Sequence, residues 1–393
     1  LATAGFDGGV RVWRYARNLD QAAPEQLAAF SDHTDRVRQV SFSASGQLLA
    51  SAGYDGKAYV HDLVTDGLCE LPIATDFGGE QVYNALFGPE SSWLLVTSDD
   101  VKQPVRLFSP QRCTPIDAGN AFGHGGVAVE SAVLQTAGGT TLLATGDEAG
   151  TLRLLQRDPD GSWRKRCELD AGVGAIGDLT LSADGGLIGA AGTSNRAALI
   201  GIDAKGCSVP MYLDGHTGRV YSIDISPSSA QVLTASLDKT ARVWNRNGSP
   251  SAVLMGHQDR IYRALFSPDD GRWMLTASRD GSIRLWRTPQ PGAKAGAGAD
   301  AEEKLTAFLP LSADLGGVAN ADFSPDGHYI AGAYWENAAL LWRIWSEAET
   351  VPTERVERWG KDRARLALIS EAYRFQSDNS VVDDDAVEQA DQP

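Results

Sequence analysis

The chain has 393 residues, a formal charge of −16 at pH 7, and hydrophobic and charged fractions of 42% and 22%. The apolar and charged fractions are ordinary for a globular protein. The acidic balance excludes the basic footprint that broad binding to nucleic acid or to an anionic membrane requires. No run approaches the ~18–20 apolar residues of a membrane span.

In chain order, residues 1–13 read LATAGFDGGVRVW, the later half of a phrase that recurs downstream. A full copy occupies 32–63 (DHTDRVRQVSFSASGQLLASAGYDGKAYVHDL), and weaker copies begin near Glu80, His124 and Val173. Two strong copies follow at 215–245 (GHTGRVYSIDISPSSAQVLTASLDKTARVWN) and 256–287 (GHQDRIYRALFSPDDGRWMLTASRDGSIRLWR), and a weaker one starts near Gly316. Each copy holds three short runs of alternating apolar and polar residues, such as Val220–Ile225, Val232–Ser236 and Thr240–Trp244, separated by turn residues. That pattern predicts short antiparallel strands. A fourth strand fits the link to the next copy, for example Ser251–Met255. Four strands repeated every ~40–45 residues, with Gly-His and Trp-Asp-like phrases, predict propeller blades.

Three stretches fall outside the repeat. Residues 288–304 are rich in Gly, Ala and Pro and predict a flexible surface insertion. Residues 346–376 are expected to be helical, because Val356, Trp359, Leu366, Ile369 and Tyr373 recur at roughly helical spacing. Residues 377–393 are acidic and expected to be a disordered tail.

The repeated phrases resemble the WD-repeat β-propeller family over about residues 1–345. The resemblance implies an all-β fold, a β-propeller of four-stranded antiparallel blades. Seven copies carry the first three strands, so a seven-bladed ring over 25–345 is expected. It would close by pairing Glu25–Phe30 with Ala338–Trp345, leaving 1–20 as the remnant of a preceding blade. An eight-bladed ring that uses 1–30 is the alternative.

His216, Thr234, Asp238 and Trp244 nominally contain a nucleophile, a base and an orienting carboxylate. So do His257, Thr276, Asp280 and Trp286. The same set recurs as His33, Ser51 and Asp55, with His61 in the tryptophan position, and as a remnant in Thr3, Asp7 and Trp13. One active site would not be built several times over. The resemblance implies instead a structural tetrad within each blade, a buried polar network that fixes loop geometry.

The sequence has no phosphate-binding, metalloprotease or nucleophile-elbow motif. No catalytic residue, cofactor site or metal site is therefore expected. The cysteines, at 69, 113, 167 and 207, follow the third strand of successive copies. Equivalent points on different blades should lie beyond the ~7 Å that a disulfide spans. Free thiols and a cytoplasmic location are expected.

The resemblance also implies a partner-binding face. Its members bind peptides with residues on either side of the first apolar residue of each blade, and with the residue before the turn aspartate. Carried over, these are Arg36, Arg38 and Tyr54; Gln81 and Tyr83; Arg219 and Tyr221; and Arg260, Tyr262 and Arg279. Arg and Tyr are enriched at binding hot spots. An acidic chain with such a face points to a protein or peptide partner bearing acidic or phosphorylated groups.

The expected function is a non-enzymatic protein–protein interaction scaffold. Bacterial members of the family often serve as the sensor or regulatory part of a signalling protein, behind a catalytic domain in the same polypeptide. A propeller enzyme (lactonase, glycosidase or dehydrogenase) and a structural subunit of a stable complex are the alternatives.

Overall fold

In the computed structural model, the described residues are 1–14, 25–71, 81–100, 102–117, 122–123, 129–137, 139–291, 303–305, 309–312, 315–335, 338–344 and 369–376. They form eight sheets in chain order. Apart from a short 3-10 turn at Pro89–Ser91, they contain no helix.

The first sheet has three strands: Ala2–Ala4, Val10–Arg14 and Glu25–Phe30. The second runs Val37–Phe42, Leu48–Gly53, Ala58–Asp62 and Gly67–Glu70. The third runs Val82–Phe87, Leu94–Ser98, Val105–Ser109 and Thr114–Ile116. The fourth runs Val129–Ala137, Thr140–Asp147, Thr151–Arg157 and Trp163–Asp170. The fifth runs Ile176–Leu181, Leu187–Gly192, Arg196–Asp203 and Met211–Asp214, with a small hairpin strand at Gly206–Cys207.

The sixth sheet runs Val220–Ile225, Gln231–Ser236, Ala241–Asn245 and Pro250–Leu254, and Glu303–Leu305 adds a parallel strand at its edge. The seventh runs Ile261–Phe266, Trp273–Ser278, Ser282–Arg287 and Leu309–Ser312. The eighth runs Val318–Phe323, Tyr329–Tyr334, Ala338–Ile344 and Ile369–Gln376.

One apolar cluster lies between each sheet and the next. Ala50 and Val96 belong to the cluster between the second and third sheets, and Leu233 and Ile261 to that between the sixth and seventh. The eighth sheet packs Tyr329, Ala339 and Leu341 against Leu1 and Trp13 of the first. The first packs Val10 and Val12 against Val37 and Leu49 of the second. The stack of sheets therefore returns to its start. Each interface removes two apolar sheet faces from water, at roughly 25 cal/mol per Å² of apolar surface.

Two expectations are corrected here. Glu25–Phe30 pairs with Val10–Arg14, with Val10 opposite Phe30, and not with Ala338–Trp345. The last partner of Ala338–Ile344 is Ile369–Gln376, with Leu341 opposite Tyr373. Residues 1–14 therefore lie between the eighth and second sheets, and the seven-bladed closure through Glu25–Phe30 does not form. The second correction follows from the first. Residues 369–376, expected to be helical, are a strand, because the open edge of Ala338–Ile344 offers a full ladder of backbone partners. Residues 373–376 (YRFQ) also alternate with period two, which suits an edge strand. The rest of the expected helix, 346–368, lies outside the described residues. So do the acidic tail at 377–393 and most of the insertion at 288–304.

Positive φ recurs at the turn between second and third strands. Gly56 and Gly281 hold φ of 77° and 80°, but the sixth sheet puts Lys239 there at 70°. A Cβ is disfavoured in that conformation. Lys239→Gly is expected to stabilise the protein by up to about 1 kcal/mol, read as a higher midpoint in urea. An unchanged or lower midpoint contradicts it.

Candidate interaction face

The leading strand of each sheet from the second to the eighth carries a β-bulge one residue after its first apolar position. The register shifts between Val37 and Gln39, Val82 and Asn84, Val220 and Ser222, and Ile261 and Arg263. The extra residues are Arg38, Tyr83, Tyr221 and Tyr262. A bulge re-aims the side chain of the inserted residue. A backbone hook fixes the neighbouring positions: the N–H groups of Tyr54, Leu237 and Arg279 donate to the carbonyls of Arg36, Arg219 and Arg260 at 2.9–3.0 Å. Trp335 makes the same bond to Gly317, at 3.0 Å.

These positions meet in two groups. On the sixth, seventh and eighth sheets, the Arg219 guanidinium lies 5.0 Å from the Tyr221 ring centre. Tyr221 and Tyr262 are 5.3 Å apart, and Tyr262 and Trp335 5.9 Å. Arg279 sits 5.1 Å over Trp335, and Asp259 lies 3.9 Å from both Arg260 and Arg279. On the second and third sheets, Arg38 donates to the Tyr54 hydroxyl at 3.2 Å and lies 5.0 Å over Tyr83. Arg36 stands 5.4 Å over the exposed ring of Phe6. Gln81 accepts the N–H of Asp99 through its carbonyl at 3.1 Å, which sets it beside Tyr83.

Beneath the face lie the polar networks. His216 Nδ1 is 2.8 Å from Asp238 and Nε2 is 2.9 Å from the Thr234 hydroxyl, to which Trp244 Nε1 donates at 2.9 Å. The seventh sheet repeats this with His257, Asp280, Thr276 and Trp286 at 2.8, 2.7 and 2.9 Å. In the second, His33 is 2.9 Å from both Asp55 and Ser51. A carboxylate only accepts, so each histidine carries its proton on Nδ1 and receives the hydroxyl at Nε2. A Cβ at Gly53 would collide with His33 Nδ1, so that position has no room for a side chain. Burial opposes the ionisation of Asp238 and Asp280, but the histidine and hydroxyl bonds outweigh it and hold both far below the carboxylate range. Burial pushes His257 down despite Asp280. The His257–Asp280 pair is thus a neutral imidazole and a carboxylate. Ser51, Thr234 and Thr276 are 0% exposed, so none of these hydroxyls reaches a substrate.

The second sheet departs from the set. His61 stacks on Phe30 at 3.9 Å between ring centres, and its Nε2 is buried without a hydrogen-bond partner. Burial pushes its pKa down to about 4 from 6.5. A group that is neutral when folded and has a lowered pKa gives stability that is full above pH ~6.5 and is lost as pH falls towards 4. The size of the effect is on the order of 3 kcal/mol. His61→Trp is expected to raise stability and to flatten its pH dependence between 6.5 and 4, measured by urea unfolding across that range. A variant as pH-sensitive as the parent contradicts this.

A family model for the WD domain, G-beta repeat, matches residues 24–62, 207–245 and 248–287. The chain thus carries WD repeats at these positions. Its repeats are similar to coronin-7 of Mus musculus, 40% identical over 76 residues, 19% of this chain and 8% of coronin-7. They are similar to transcription initiation factor TFIID subunit 5 of Caenorhabditis elegans, 26% identical over 144 residues, 37% of the chain and 20% of that protein. THO complex subunit 3 of Arabidopsis thaliana is 30% identical over 122 residues, 30% of the chain and 34% of that protein. The matched part spans between 8% and 34% of each of these relatives. A solved structure of the computationally designed Ika8 protein superposes with a TM-score of 0.67 at 16% identity, over 87% of this chain and 92% of that one, and shows the fold alone.

Among WD-repeat positions, sequence reasoning missed Trp335. Its signal was there: Trp335 follows AGAY as Arg279 follows LTAS, in a copy whose turn is otherwise degenerate. It also missed inward carboxylates. Asp178 and Asp224 accept the N–H groups of Ile223 and Phe266 in the next sheet at 2.9 and 2.8 Å, and Arg263 lies 3.3 Å from Asp178. These side chains join leading strands that share no ladder. Asp224 is pushed up to about 6 by burial. With Asp322 it lines a cleft of about 330 Å³ at the far ends of the same strands.

The cysteine expectation is overturned. Cys69 is bonded to Cys113 and Cys167 to Cys207, with Cα atoms 6.2 and 5.8 Å apart. The positions are not equivalent, which is why the spacing argument failed. Cys69 and Cys167 lie within last strands, whereas Cys113 and Cys207 lie at the turn between third and last strands of the following sheet. In the stack, those two places face each other. Among the described residues, no helix is long and apolar enough to cross a membrane, and no three metal-ligating side chains cluster.

Proposed function

We propose that this WD-repeat chain is a non-enzymatic protein-interaction module whose partner docks on the bulged ends of the leading strands in the sixth, seventh and eighth sheets. The observation that carries this is the continuous run Arg219, Tyr221, Tyr262, Trp335 and Arg279. Guanidinium groups beside stacked rings offer planar hydrogen bonding and apolar contact on a stiff platform. The matching partner is a segment with carboxylate or phosphate groups flanked by apolar side chains. Arg36, Arg38, Tyr54, Gln81 and Tyr83 extend the face on the other side of the ring. Affinity capture with the chain, using an Arg219/Tyr221/Arg260/Tyr262 alanine variant as control, tests it. Capture that the variant retains in full contradicts it.

A fixed subunit of a stable complex is the second reading, favoured by relatives whose names place them in the TFIID and THO complexes. Co-purification at fixed stoichiometry through high salt separates it from a reversible scaffold. The finer role, a regulatory part of a signalling polypeptide, is tested by whether partner occupancy alters the activity of a catalytic domain in that polypeptide. The buried Thr-His-Asp sets lend no support to a hydrolytic enzyme, and turnover on esterase, lactonase and glycosidase panels is the test of that alternative.

A further inference from the structure

We infer that the two disulfides are redox-addressable clasps that hold the arc of the third, fourth and fifth sheets, of which the third and fifth have no histidine to build the buried histidine–aspartate network.

The register identifies what stands in place of the network. Val82 opposite Ser98, Val129 opposite Asp147 and Ile176 opposite Gly192 match Val220 opposite Ser236. The Thr234 position is therefore Val96, Thr145 or Ala190, and the Asp238 position is Asp100, Ala149 or Ser194. The sequence of the third and fifth sheets, residues 72–117 and 171–214, contains no histidine. The sixth and seventh sheets have the complete network and no cysteine.

Each interface of the arc has its own fastening. Cys69–Cys113 joins the second sheet to the third, and Cys167–Cys207 joins the fourth to the fifth. Between the third and fourth, Trp163 meets Trp93 and Phe122 with ring centres 5.4 and 5.5 Å apart. The bonds close loops of 44 and 40 residues, long enough for a cross-link to restrict the unfolded chain strongly. All four cysteines are half-buried, so a small thiol reaches them.

Opening takes two exchanges. A thiolate attacks one sulfur of the pair, the protein S–S bond breaks, and the second cysteine leaves as a thiolate. A second thiol then displaces the first from its mixed disulfide. Two thiols are oxidised to one disulfide, and the two electrons and two protons end on the cysteine pair. Closing is the reverse, with a small-molecule disulfide as oxidant. Persistent clasps belong to an oxidising compartment, in contrast to the cytoplasmic setting expected from the spacing of the cysteines. Opened clasps would loosen the arc that carries Gln81 and Tyr83, and leave the Tyr221–Tyr262–Trp335 group in place.

The test uses the full chain, equilibrated with glutathione disulfide or reduced and alkylated. The oxidised chain, denatured without reductant, is expected to show no titratable thiol, and four after reduction. Four thiols before reduction overturn the inference. In hydrogen exchange, reduction is expected to speed Leu94–Ser98 and Leu187–Gly192 by at least about tenfold. Gln231–Ser236 and Trp273–Ser278 are expected to stay unchanged. An equal change in both arcs, or none in either, overturns it. Cys69→Ser/Cys113→Ser and Cys167→Ser/Cys207→Ser are expected to reproduce the effect separately, the first at Leu94–Ser98 and the second at Leu187–Gly192. Effects at the wrong strand overturn the assignment of each clasp to its interface.

Discussion

Trp286→Ala is expected to lower the free energy of unfolding by about 3–5 kcal/mol, the range for a large aromatic removed from a core. Trp286 is fully buried and packs with Leu233, Val243, Ile261 and Phe266 between the sixth and seventh sheets. Its N–H also satisfies Thr276, whose oxygen faces His257. The substitution therefore opens a cavity at a sheet interface and loosens a buried polar network in one step. Thr276→Val separates the two effects. It keeps the shape and leaves His257 Nε2 and Trp286 Nε1 without their partner, a loss of about 1–3 kcal/mol. Denaturant unfolding followed by circular dichroism measures both. A loss below 1 kcal/mol for Trp286→Ala would mean that the interface collapses around the gap, and that the tryptophan does not anchor the sheet.

The second large effect is on binding. The combined variant Arg219→Ala, Tyr221→Ala, Arg260→Ala and Tyr262→Ala is expected to weaken partner binding by at least about 100-fold, since single hot-spot residues contribute 2 kcal/mol or more. Its melting temperature should stay within a few degrees of the parent, because all four side chains are only half-buried and lie above the networks, not within them. Lowering salt should strengthen binding to the parent and do little for the variant, as charge pairing at an exposed face is screened. Titration of a captured partner segment, with and without phosphate, reads affinity and salt slope together. Unchanged affinity with an intact fold removes this face from the proposed function. A variant that melts early is replaced by Tyr221→Ala alone, which tests the centre of the run.

Much of the fold was legible because the repeat is written in local chemistry. Alternation placed strands at Val220–Ile225, Val232–Ser236 and Thr240–Trp244, each within one residue of the observed Val220–Ile225, Gln231–Ser236 and Ala241–Asn245, since a half-buried strand needs a period of two. The networks were legible for a similar reason. His216, Thr234, Asp238 and Trp244 recur at one spacing, and repetition argues for architecture over catalysis. The face was readable only in part. Arg219, Tyr221 and Tyr262 follow from their place beside the first apolar residue, whereas Trp335 sits in a copy whose turn has lost its aspartate.

What the sequence determined by itself was the unit: a short antiparallel sheet, its turns and its buried polar network, all set by contacts within about 30 residues. Tertiary structure alone decided how the units close and what fastens them. Glu25–Phe30 could pair with either of two open edges, and Ile369–Gln376 reads as helix or strand until an unpaired edge is beside it. Cys69 and Cys113 are 44 residues apart in sequence, and only the stacking of one sheet on the next brings a last strand against a neighbouring turn. Edge pairing and cross-linking depend on which surfaces meet in space, and no local pattern encodes that.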